Sequence, residues 1–507
     1  MPTFSGPDGT SLAYHVEGEG EPLICLPGGP MRASAYFGDL GGLTAHRRLV
    51  RLDLRGTGDS AMAEDPATYR CDRLVGDVEA LREHLGLDRA DILAHSASGN
   101  LALLYAAAHP ERVRSLTLVT PGTRALGVAA TEEDWRGALA LREGEPWYET
   151  GRAAWDAFLA GGELDDLWSD MVPFMYGRWD ATARAHAADD AHQSNHQARG
   201  LYYGEGAFDP AATVKALSAL DAPVLVLAGE YDGGPTPARA AESASLLPHA
   251  EVAVQAGAAH YPWLDDPGAF RRTVASFLDP DVHSATTPRG VRLAYRIWGE
   301  PDAPPVVLVH GRGGGIGEWV GIAEQLAATH RVYALDLRGH GLSDWPGSYS
   351  FGLFRDDLRA FITALGLKGT SVIGHSMGGV AAYLLAEDDP SLIGRLVLED
   401  SPALFPLDPP RPEAARPEGA LAFDWPVVTS TDAERNAPDP AWRERLGAIT
   451  APVLVIGGGA SSHVNQEHLT WLAERIPDGR LVTLDAGHLI HETRPEEFLS
   501  AVREFGI

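Results

Sequence analysis

Short apolar runs alternate with longer amphipathic stretches along most of the chain. In the carboxy-terminal half, the runs PVVLVH, RVYALDL, SVIGHS, RLVLED and PVLVIGG are bounded mostly by Gly, Pro and Asp. Between them lie FRDDLRAFITALGL and VAAYLLAED, in which apolar residues recur at helical spacing. Near-continuous apolar strands separated by helices are typical of a parallel sheet that helices cover on both faces. The pattern therefore predicts an α/β fold.

The amino-terminal half repeats this pattern in the same order. ILAHSASGNLALLYAAAHPERVRSLTLV resembles VIGHSMGGVAAYLLAEDDPSLIGRLVLE, and RLDLRGTGDS resembles ALDLRGHGLSD. Ser96 pairs with Ser376 at an offset of 280, whereas His260 pairs with His488 at an offset of 228. The second repeat is therefore 52 residues shorter between these two points. A duplication with an insertion of unequal length predicts two tandem domains.

The length of the chain, 507 residues, also exceeds what one core usually supports. We predict a first domain over 1–279 and a second over 287–507, joined by a polar linker at about 280–286. The stretch at about 122–220 is rich in Trp, Tyr, Ala and acidic residues, which predicts a large helical cap on the first domain. The shorter, proline-rich stretch at about 403–448 predicts a small cap on the second domain.

Charge and cysteine content narrow the possible partners and compartment. The formal charge of −29 argues against nucleic acids and anionic membranes, because both need clustered Lys and Arg on the protein. The two cysteines, Cys25 and Cys71, cannot form a disulfide scaffold, which favours a reducing cytoplasm. No signal peptide is evident, and no apolar stretch approaches the length of a membrane span. We expect a cytoplasmic protein with a small-molecule substrate, and its oligomeric state stays open.

Each half places a serine in a tight turn between a strand and a helix. GHSMGG around Ser376 matches the small-x-Ser-x-small pattern in full, and AHSASG around Ser96 has Ala94 and Ser98 in place of two glycines. Such a turn is strained and needs small neighbours, because the flanking chains cross closely. The pattern predicts that Ser96 and Ser376 are nucleophiles.

A serine nucleophile also needs backbone N–H groups that stabilise a developing oxyanion. One donor is expected from the residue after each serine, which is Ala97 or Met377. The other is expected from the loop after an earlier strand, LPGGPM in one half and VHGRGGG in the other. Gly29 and Arg312 are the candidate donors in these loops.

A histidine follows the last strand of each repeat, at His260 and His488. A lone histidine is usually structural, but this position, late in a repeat that contains a serine turn, favours a general base. In the first half, Asp232 lies between Ser96 and His260, which gives the order Ser–Asp–His. Its carboxylate would hold the imidazole tautomer and stabilise the imidazolium.

The second half carries Ser461 at the position of Asp232 and therefore needs another acid. Asp400, at the end of RLVLED, follows the strand after the serine helix, where the first half has Thr120. The ends of these two strands are neighbours in such a sheet, so a carboxylate on either strand can reach the histidine. We hypothesise that Asp400 is the acid partner of His488.

Other interpretations of these residues remain open. Asp400 could instead cap the turn after its strand, as Asp often does, and Glu399 is a second candidate acid. His95 and His375 directly precede the serines, and we expect structural roles for both.

These motifs resemble the α/β-hydrolase fold family in both halves. LPGGP, DLRGTGDS, GEYD and AAHYPWLDDP make the first half similar to the proline iminopeptidase-type branch, which has His and Gly where this chain has Pro27 and Met31. The second half resembles small-capped, carboxylesterase-like members. The resemblance implies a serine hydrolase that cleaves ester, lactone, thioester or small amide bonds through an acyl-enzyme, without a cofactor or metal. Acyl transfer, cyclisation, C–C bond chemistry, or a binding module in one half remain alternatives.

Overall fold

The computed structural model describes residues 1–417 and 421–507, without the side chains of residues 164 and 165. Residues 418–420 belong to the predicted second cap and lie outside the described part of the chain. The chain divides into two compact units, Met1–Leu278 and Asp279–Ile507, which we call unit 1 and unit 2.

Unit 1 is built on a sheet of eight strands in the order β1-β2-β4-β3-β5-β6-β7-β8. Strand β2 pairs antiparallel with β1 and β4, and the remaining pairs are parallel. The strands are β1 Thr3–Ser5, β2 Ser11–Glu17, β3 Pro22–Leu26, β4 Arg48–Leu52, β5 Ala90–His95, β6 Val113–Val119, β7 Val224–Gly229 and β8 Ala250–Gln255. The α-helices are α1 Val75–His84, α2 Ser98–Ala108, α3 Glu132–Ala140, α4 Tyr148–Leu159, α5 Leu164–Met171, α6 Ala181–Ala188, α7 Asp190–Gln193, α8 His196–Tyr202, α9 Pro210–Leu217, α10 Pro237–Ser245, α11 Pro262–Asp265 and α12 Pro267–Leu278.

Unit 2 repeats the same topology, with eight strands in the order β9-β10-β12-β11-β13-β14-β15-β16. The strands are β9 Val282–Thr286, β10 Arg292–Trp298, β11 Pro305–Val309, β12 Arg331–Leu335, β13 Thr370–His375, β14 Ile393–Glu399, β15 Val453–Gly457 and β16 Gly479–Thr483. The α-helices are α13 Val320–Leu326, α14 Phe351–Ala364, α15 Met377–Asp388, α16 Pro426–Asn436, α17 Trp442–Arg445, α18 Gln466–Arg475, α19 Ile490–Thr493 and α20 Pro495–Glu504. The alternation of strands and helices read from the sequence is thus confirmed in both halves.

The two insertions leave their sheets at equivalent points. In unit 1, α3 to α9 lie between β6 and β7, and in unit 2, α16 and α17 lie between β14 and β15. A large helical cap and a small cap were both expected from composition, and both are present. The insertions follow the strand after each serine helix and precede the next strand of the sheet, so their cavities open at the carboxyl ends of the strands.

The apolar strand runs are explained by burial on both faces of the sheet. In unit 2, Val307 and Val309 pack into a cluster with α14 and α15, whereas Val306 and Leu308 pack into a second cluster with α13 and α20. Because successive side chains of a strand point to opposite faces, a strand covered on both sides has to be apolar at every position. Among the described residues, no helix has both the length and the apolarity that a membrane span requires.

The segment 280–286 differs from the predicted linker. Val282–Thr286 forms strand β9, which pairs antiparallel with β10 from Thr286 opposite Arg292 to Val282 opposite Arg296. This strand lies at the edge of the sheet and is largely exposed, so its sequence VHSAT lacks the apolar run that marks an interior strand. The second unit therefore begins at Asp279, ahead of the predicted boundary.

Candidate active sites

The serine of unit 1 occupies a strained turn between β5 and α2. Ser96 has a φ of 52°, in the left-handed region that non-glycine residues rarely adopt. Ser98 occupies the position of a glycine in this pattern, and its hydroxyl donates to the carbonyl oxygen of Pro27. A Cβ on Gly99 would lie 2.6 Å from Cβ of Pro121. The close crossing explains why small residues lie two positions before and two positions after Ser96.

Ser96, His260 and Asp232 form a continuous hydrogen-bonded series. The Ser96 Oγ and His260 Nε2 atoms are 2.8 Å apart, and His260 Nδ1 lies 2.8 Å from Asp232 Oδ2. The other carboxylate oxygen of Asp232 accepts from the backbone N–H of Gly234 at 2.9 Å. The carboxylate is buried. The three residues named from sequence are therefore brought together, although they lie 136 and 28 positions apart along the chain.

A buried hydrogen-bond relay supports His260 from behind. The N–H of Gly28 donates to the Tyr36 hydroxyl at 2.7 Å, and that hydroxyl donates to His95 Nδ1 at 2.7 Å. His95 Nε2 donates in turn to the carbonyl oxygen of His260 at 2.9 Å. Burial holds the pKa of His95 well below its ordinary value, as a neutral imidazole in this relay requires. His95 therefore fixes the backbone of His260, in keeping with its expected structural role.

Residues of the unit 1 cap line a cavity of about 830 Å³ that also includes Ser96. Gly29 and Ala97, the two candidate oxyanion donors, line this cavity together with the serine. Gly29 has a φ of 115°, so its conformation favours glycine. The aromatic residues of the cap that line the cavity are Trp135, Trp168, Trp179 and Tyr203. An aromatic wall facing the serine favours a bulky apolar substrate group.

The serine turn of unit 2 has the same geometry with tighter packing. Ser376 has a φ of 49° and directly precedes α15. A Cβ on Gly379 would lie 1.8 Å from Oγ of Ser401, and one on Gly378 would lie 2.5 Å from the carbonyl oxygen of His310. Glycine is therefore required at these positions, because the neighbouring atoms leave no space for a Cβ atom.

Asp400 meets His488 at the end of β14. Its Oδ2 lies 2.7 Å from His488 Nδ1 and also accepts from the Ser462 hydroxyl. Its Oδ1 accepts from the Gly458 N–H at 3.0 Å and from Gln466 Nε2 at 3.2 Å. Burial opposes ionisation of Asp400, but these hydrogen bonds outweigh it and lower the pKa of the carboxyl. Asp400 is thus held as a buried carboxylate directed at the imidazole.

In unit 2, the turn equivalent to the one that carries Asp232 supplies hydrogen-bond donors to the acid Asp400. Ser462 and Gln466 both follow β15, the counterpart of β7. Ser461, which aligns with Asp232, instead donates to Asp485 at 3.2 Å. Sequence alignment therefore points to the correct turn, but the serine that contacts the acid is one position further on.

Glu399, the second candidate acid, forms hydrogen bonds with a different histidine. Its carboxylate accepts from the backbone N–H and from Nδ1 of His491, both at 2.8 Å. The His491 ring stacks on Trp319 with ring centroids 4.2 Å apart, in a fully buried position. His375 donates from Nε2 to the carbonyl oxygen of His488 at 3.0 Å, as His95 does in unit 1. Glu399 therefore lies beneath the site and does not contact the His488 ring.

The two serine sites also differ in the contact between the serine and the histidine. Among the described residues, no hydrogen bond joins Ser376 to His488, although both line one cavity of about 370 Å³. Met377 and Arg312, the candidate oxyanion donors, line the same cavity. The His488 side chain is 21% exposed, compared with 9% for His260. Catalytic hydrogen bonds are often long without substrate and tighten in the complex.

Several side chains that line the unit 2 cavity lie outside the motifs recognised in the sequence. The sequence predicts a role only for the backbone of Arg312, but its guanidinium forms an ion pair with Asp432 of the cap at 2.7 Å. Arg435 and Glu318 also line the cavity. The charged segment TDAERN in the second cap is the sequence feature that could have indicated these residues. Its position near the serine depends on tertiary packing, which the local sequence does not encode.

Comparisons with known proteins find relatives that match parts of the chain. A stretch of 120 residues is 37% identical to an uncharacterized protein of Mycobacterium tuberculosis, and covers 24% of this chain and 35% of that protein. The chain is 24% identical to an sn-1-specific diacylglycerol lipase of Mus musculus, over 43% of this chain and 86% of the lipase. It is 27% identical to an esterase of Escherichia coli, over 40% of this chain and 92% of the esterase. A solved hydrolase of Pseudomonas aeruginosa covers 45% of this chain with 28% identity and a TM-score of 0.40.

The first of these relatives is matched over only about a third of its length. The family model of the alpha/beta hydrolase fold matches two stretches, residues 21–267 and 304–441, one in each unit. Together the stretches cover more than half of the chain, and they confirm the predicted fold class and the assignment to a family of hydrolases. The chain belongs to the alpha/beta hydrolase fold family.

Proposed function

We propose that the chain is a serine hydrolase with two active sites, each of which cleaves an acyl bond through an acyl-enzyme. The observation that carries this proposal is the hydrogen-bonded series of Ser96, His260 and Asp232. A serine hydroxyl is a weak nucleophile unless a positioned base removes its proton, and the series supplies that base. Its substrates are esters, lactones, thioesters or small amides.

In unit 1 the reaction begins when His260 Nε2 takes the proton of Ser96 and the serine oxygen attacks the acyl carbon. The backbone N–H groups of Gly29 and Ala97 stabilise the oxyanion. Asp232 stabilises the imidazolium through Nδ1, and His260 then donates its proton to the leaving group. A water molecule, activated by the same imidazole, cleaves the acyl-enzyme and releases the acid.

In unit 2 the same roles fall to Ser376, His488 and Asp400, with the N–H groups of Arg312 and Met377 at the oxyanion. The Asp400–His488 contact at 2.7 Å supports this assignment. Because Ser376 and His488 are not hydrogen-bonded in the described structure, their contact has to form when substrate binds. A binding module in unit 2, without chemistry, is the second candidate function, and this missing contact is the observation that favours it.

The two cavities favour different acyl groups. The unit 1 cavity of about 830 Å³ is walled by tryptophans, whereas that of unit 2 is about 370 Å³. We expect unit 1 to accept large aromatic or long acyl groups and unit 2 to accept short ones. The two cysteines are buried free thiols, which supports the proposed reducing, cytoplasmic location.

A panel of p-nitrophenyl esters with acyl chains of increasing length, together with aminoacyl anilides, tests these assignments. We expect Ser376→Ala to retain cleavage of long-chain esters and Ser96→Ala to retain cleavage of short-chain esters. The double variant should lose both activities. Ser169→Ala, which removes a serine lining the unit 1 cavity outside the hydrogen-bonded series, is the matched control. Hydrolysis that persists in the double variant would contradict the proposal.

A further inference from the structure

Two arginines pair with a single carboxylate in the cap of unit 2, and a third arginine follows it on the same helix. Arg312 Nη1 lies 2.7 Å and Arg411 Nη1 lies 2.9 Å from the same oxygen, Oδ1 of Asp432. Arg435 follows Asp432 by three residues on α16, one helical turn further along. This part of unit 2 therefore has three arginines and one aspartate, a local excess of positive charge in a chain whose formal charge is −29.

Arg435 is the member of this group without a partner. Among the described residues, no carboxylate lies within ion-pair distance of its guanidinium, and no hydrogen bond from its side chain is present. Burial, together with the like charges of Arg411 and Arg312, lowers its pKa to about 10, so it remains a cation at neutral pH. A partly buried cation without an ion-pair contact is costly, and its free energy falls when an anion binds beside it.

The unpaired guanidinium lines the same cavity as the nucleophile. Arg435 and Thr431 of the cap line the cavity of about 370 Å³, together with Arg312, Ser376 and His488. Glu318 is the acidic side chain of this lining, and burial raises its pKa to about 7, so its negative charge is reduced at neutral pH. The cavity therefore offers a positive group opposite a serine and an oxyanion loop.

We propose that the unit 2 cavity binds a carboxylate through Arg435, so that its substrates are short acyl esters or lactones whose acyl group ends in a carboxylate. Cleavage of the acyl bond by Ser376 rests on the proposed function, whereas the binding of the carboxylate by Arg435 does not. A guanidinium recognises a carboxylate with two parallel N–H donors, which adds orientation to charge. At about 370 Å³ the cavity has less than half the volume of the unit 1 cavity, which favours short acyl groups.

Kinetics on the full chain with Ser96→Ala test this substrate class. The probes are mono-p-nitrophenyl glutarate and its neutral counterpart, p-nitrophenyl methyl glutarate. We expect a higher kcat/KM for the hemiester, and a loss of at least tenfold for that substrate in Arg435→Gln, mainly through KM. The loss for the neutral ester should be smaller than that for the hemiester, and Arg435→Lys should retain part of the preference. Arg480→Gln, an exposed arginine of the same unit, is the matched control, and thermal unfolding verifies that each variant is folded.

Calorimetry on the Ser96→Ala/Ser376→Ala double variant separates binding from chemistry, because neither serine can then cleave the probes. Monomethyl glutarate should bind at least tenfold more tightly than dimethyl glutarate, and Arg435→Gln should abolish this difference. Equal binding of the two probes, or a preference that survives Arg435→Gln, would overturn the inference even if unit 2 hydrolyses neutral esters. An Arg435-dependent preference in calorimetry without any turnover at Ser376 would support the inference and overturn the proposed catalytic function of unit 2.

Discussion

The carboxylate of Asp400 lies 2.7 Å from Nδ1 of His488. Asp400 makes this contact although it follows a different strand of the sheet from the one that precedes Asp232 in unit 1. Asp232 follows β7, whose counterpart is β15, whereas Asp400 follows β14. These strands are parallel neighbours, with Glu399 opposite Ile456, so their carboxyl ends meet at the same edge. The duplicated fold therefore places its acid on either strand with the same contact to the histidine.

Asp400→Asn is expected to lower kcat of unit 2 by about 10⁴-fold, because an amide cannot hold the imidazole in the tautomer that accepts the serine proton. The measurement is hydrolysis of a short p-nitrophenyl ester by the full chain with Ser96→Ala. Asp485→Asn, an acidic residue near the same turn that accepts from Ser461, is the control and should retain activity. Turnover unchanged in Asp400→Asn would remove Asp400 from the mechanism.

Ser462→Ala is expected to reduce kcat of unit 2 by about tenfold, since it removes one charge-assisted hydrogen bond that keeps Asp400 ionised. The neighbouring Ser461→Ala provides a close control, because that hydroxyl donates to Asp485 instead. A comparison of kcat for the two alanine variants in the Ser96→Ala chain checks the prediction. Equal effects would mean that the Ser462 contact does not support the acid.

Local sequence patterns were sufficient to predict much of this architecture. The apolar runs identify the interior strands, and the small residues around Ser96 and Ser376 follow from the crowding at positive φ. Those patterns were informative because burial on two faces and steric crowding constrain residue type at each position.

Other features depend on contacts that leave no local pattern. Strand β9 is exposed at an edge, so its polar sequence resembled a linker. The Ser462 contact and the unpaired Arg435 depend on how irregular loops pack, and no periodicity encodes that packing. The catalytic roles of the serines, histidines and acids remain predictions that the variants above test.

Gly379→Ala is expected to destabilise unit 2 by about 1–3 kcal/mol or more, because the added methyl group would overlap Oγ of Ser401 at 1.8 Å. Gly321→Ala on α13 is the matched control, since a Cβ there meets no atom within 4 Å of the described structure. That control should be neutral or stabilise the helix by about 0.5–1 kcal/mol. Urea denaturation of both variants measures the difference, and equal midpoints would contradict the packing argument.

His340 is expected to make unit 2 less stable in acid. Its Nδ1 donates to the Arg338 carbonyl oxygen and its Nε2 accepts from the Gly313 N–H, so the folded site requires a neutral ring. Burial lowers its pKa from 6.5 to about 3. Between these values the unfolded chain binds more protons than the folded one, so stability is complete above pH 6.5 and is lost as the pH falls toward 3.

The contribution of His340 corresponds to about 2 kcal/mol lost between pH 7 and pH 5. Urea midpoints at the two pH values should differ more for the native chain than for His340→Gln. His283→Gln, an exposed histidine on β9, should leave the pH dependence as it is in the native chain. The same pH dependence in His340→Gln and in the native chain would show that the ring is not held neutral.

The central claim is that each unit holds its own activated serine, and stoichiometric labelling tests it most directly. A fluorophosphonate that reacts with activated serines should add two equivalents to each native chain, as measured by intact-protein mass spectrometry. Ser96→Ala and Ser376→Ala should each retain one equivalent, and the double variant should retain none. Absence of labelling in the native chain, or labelling that persists in the double variant, would contradict the account.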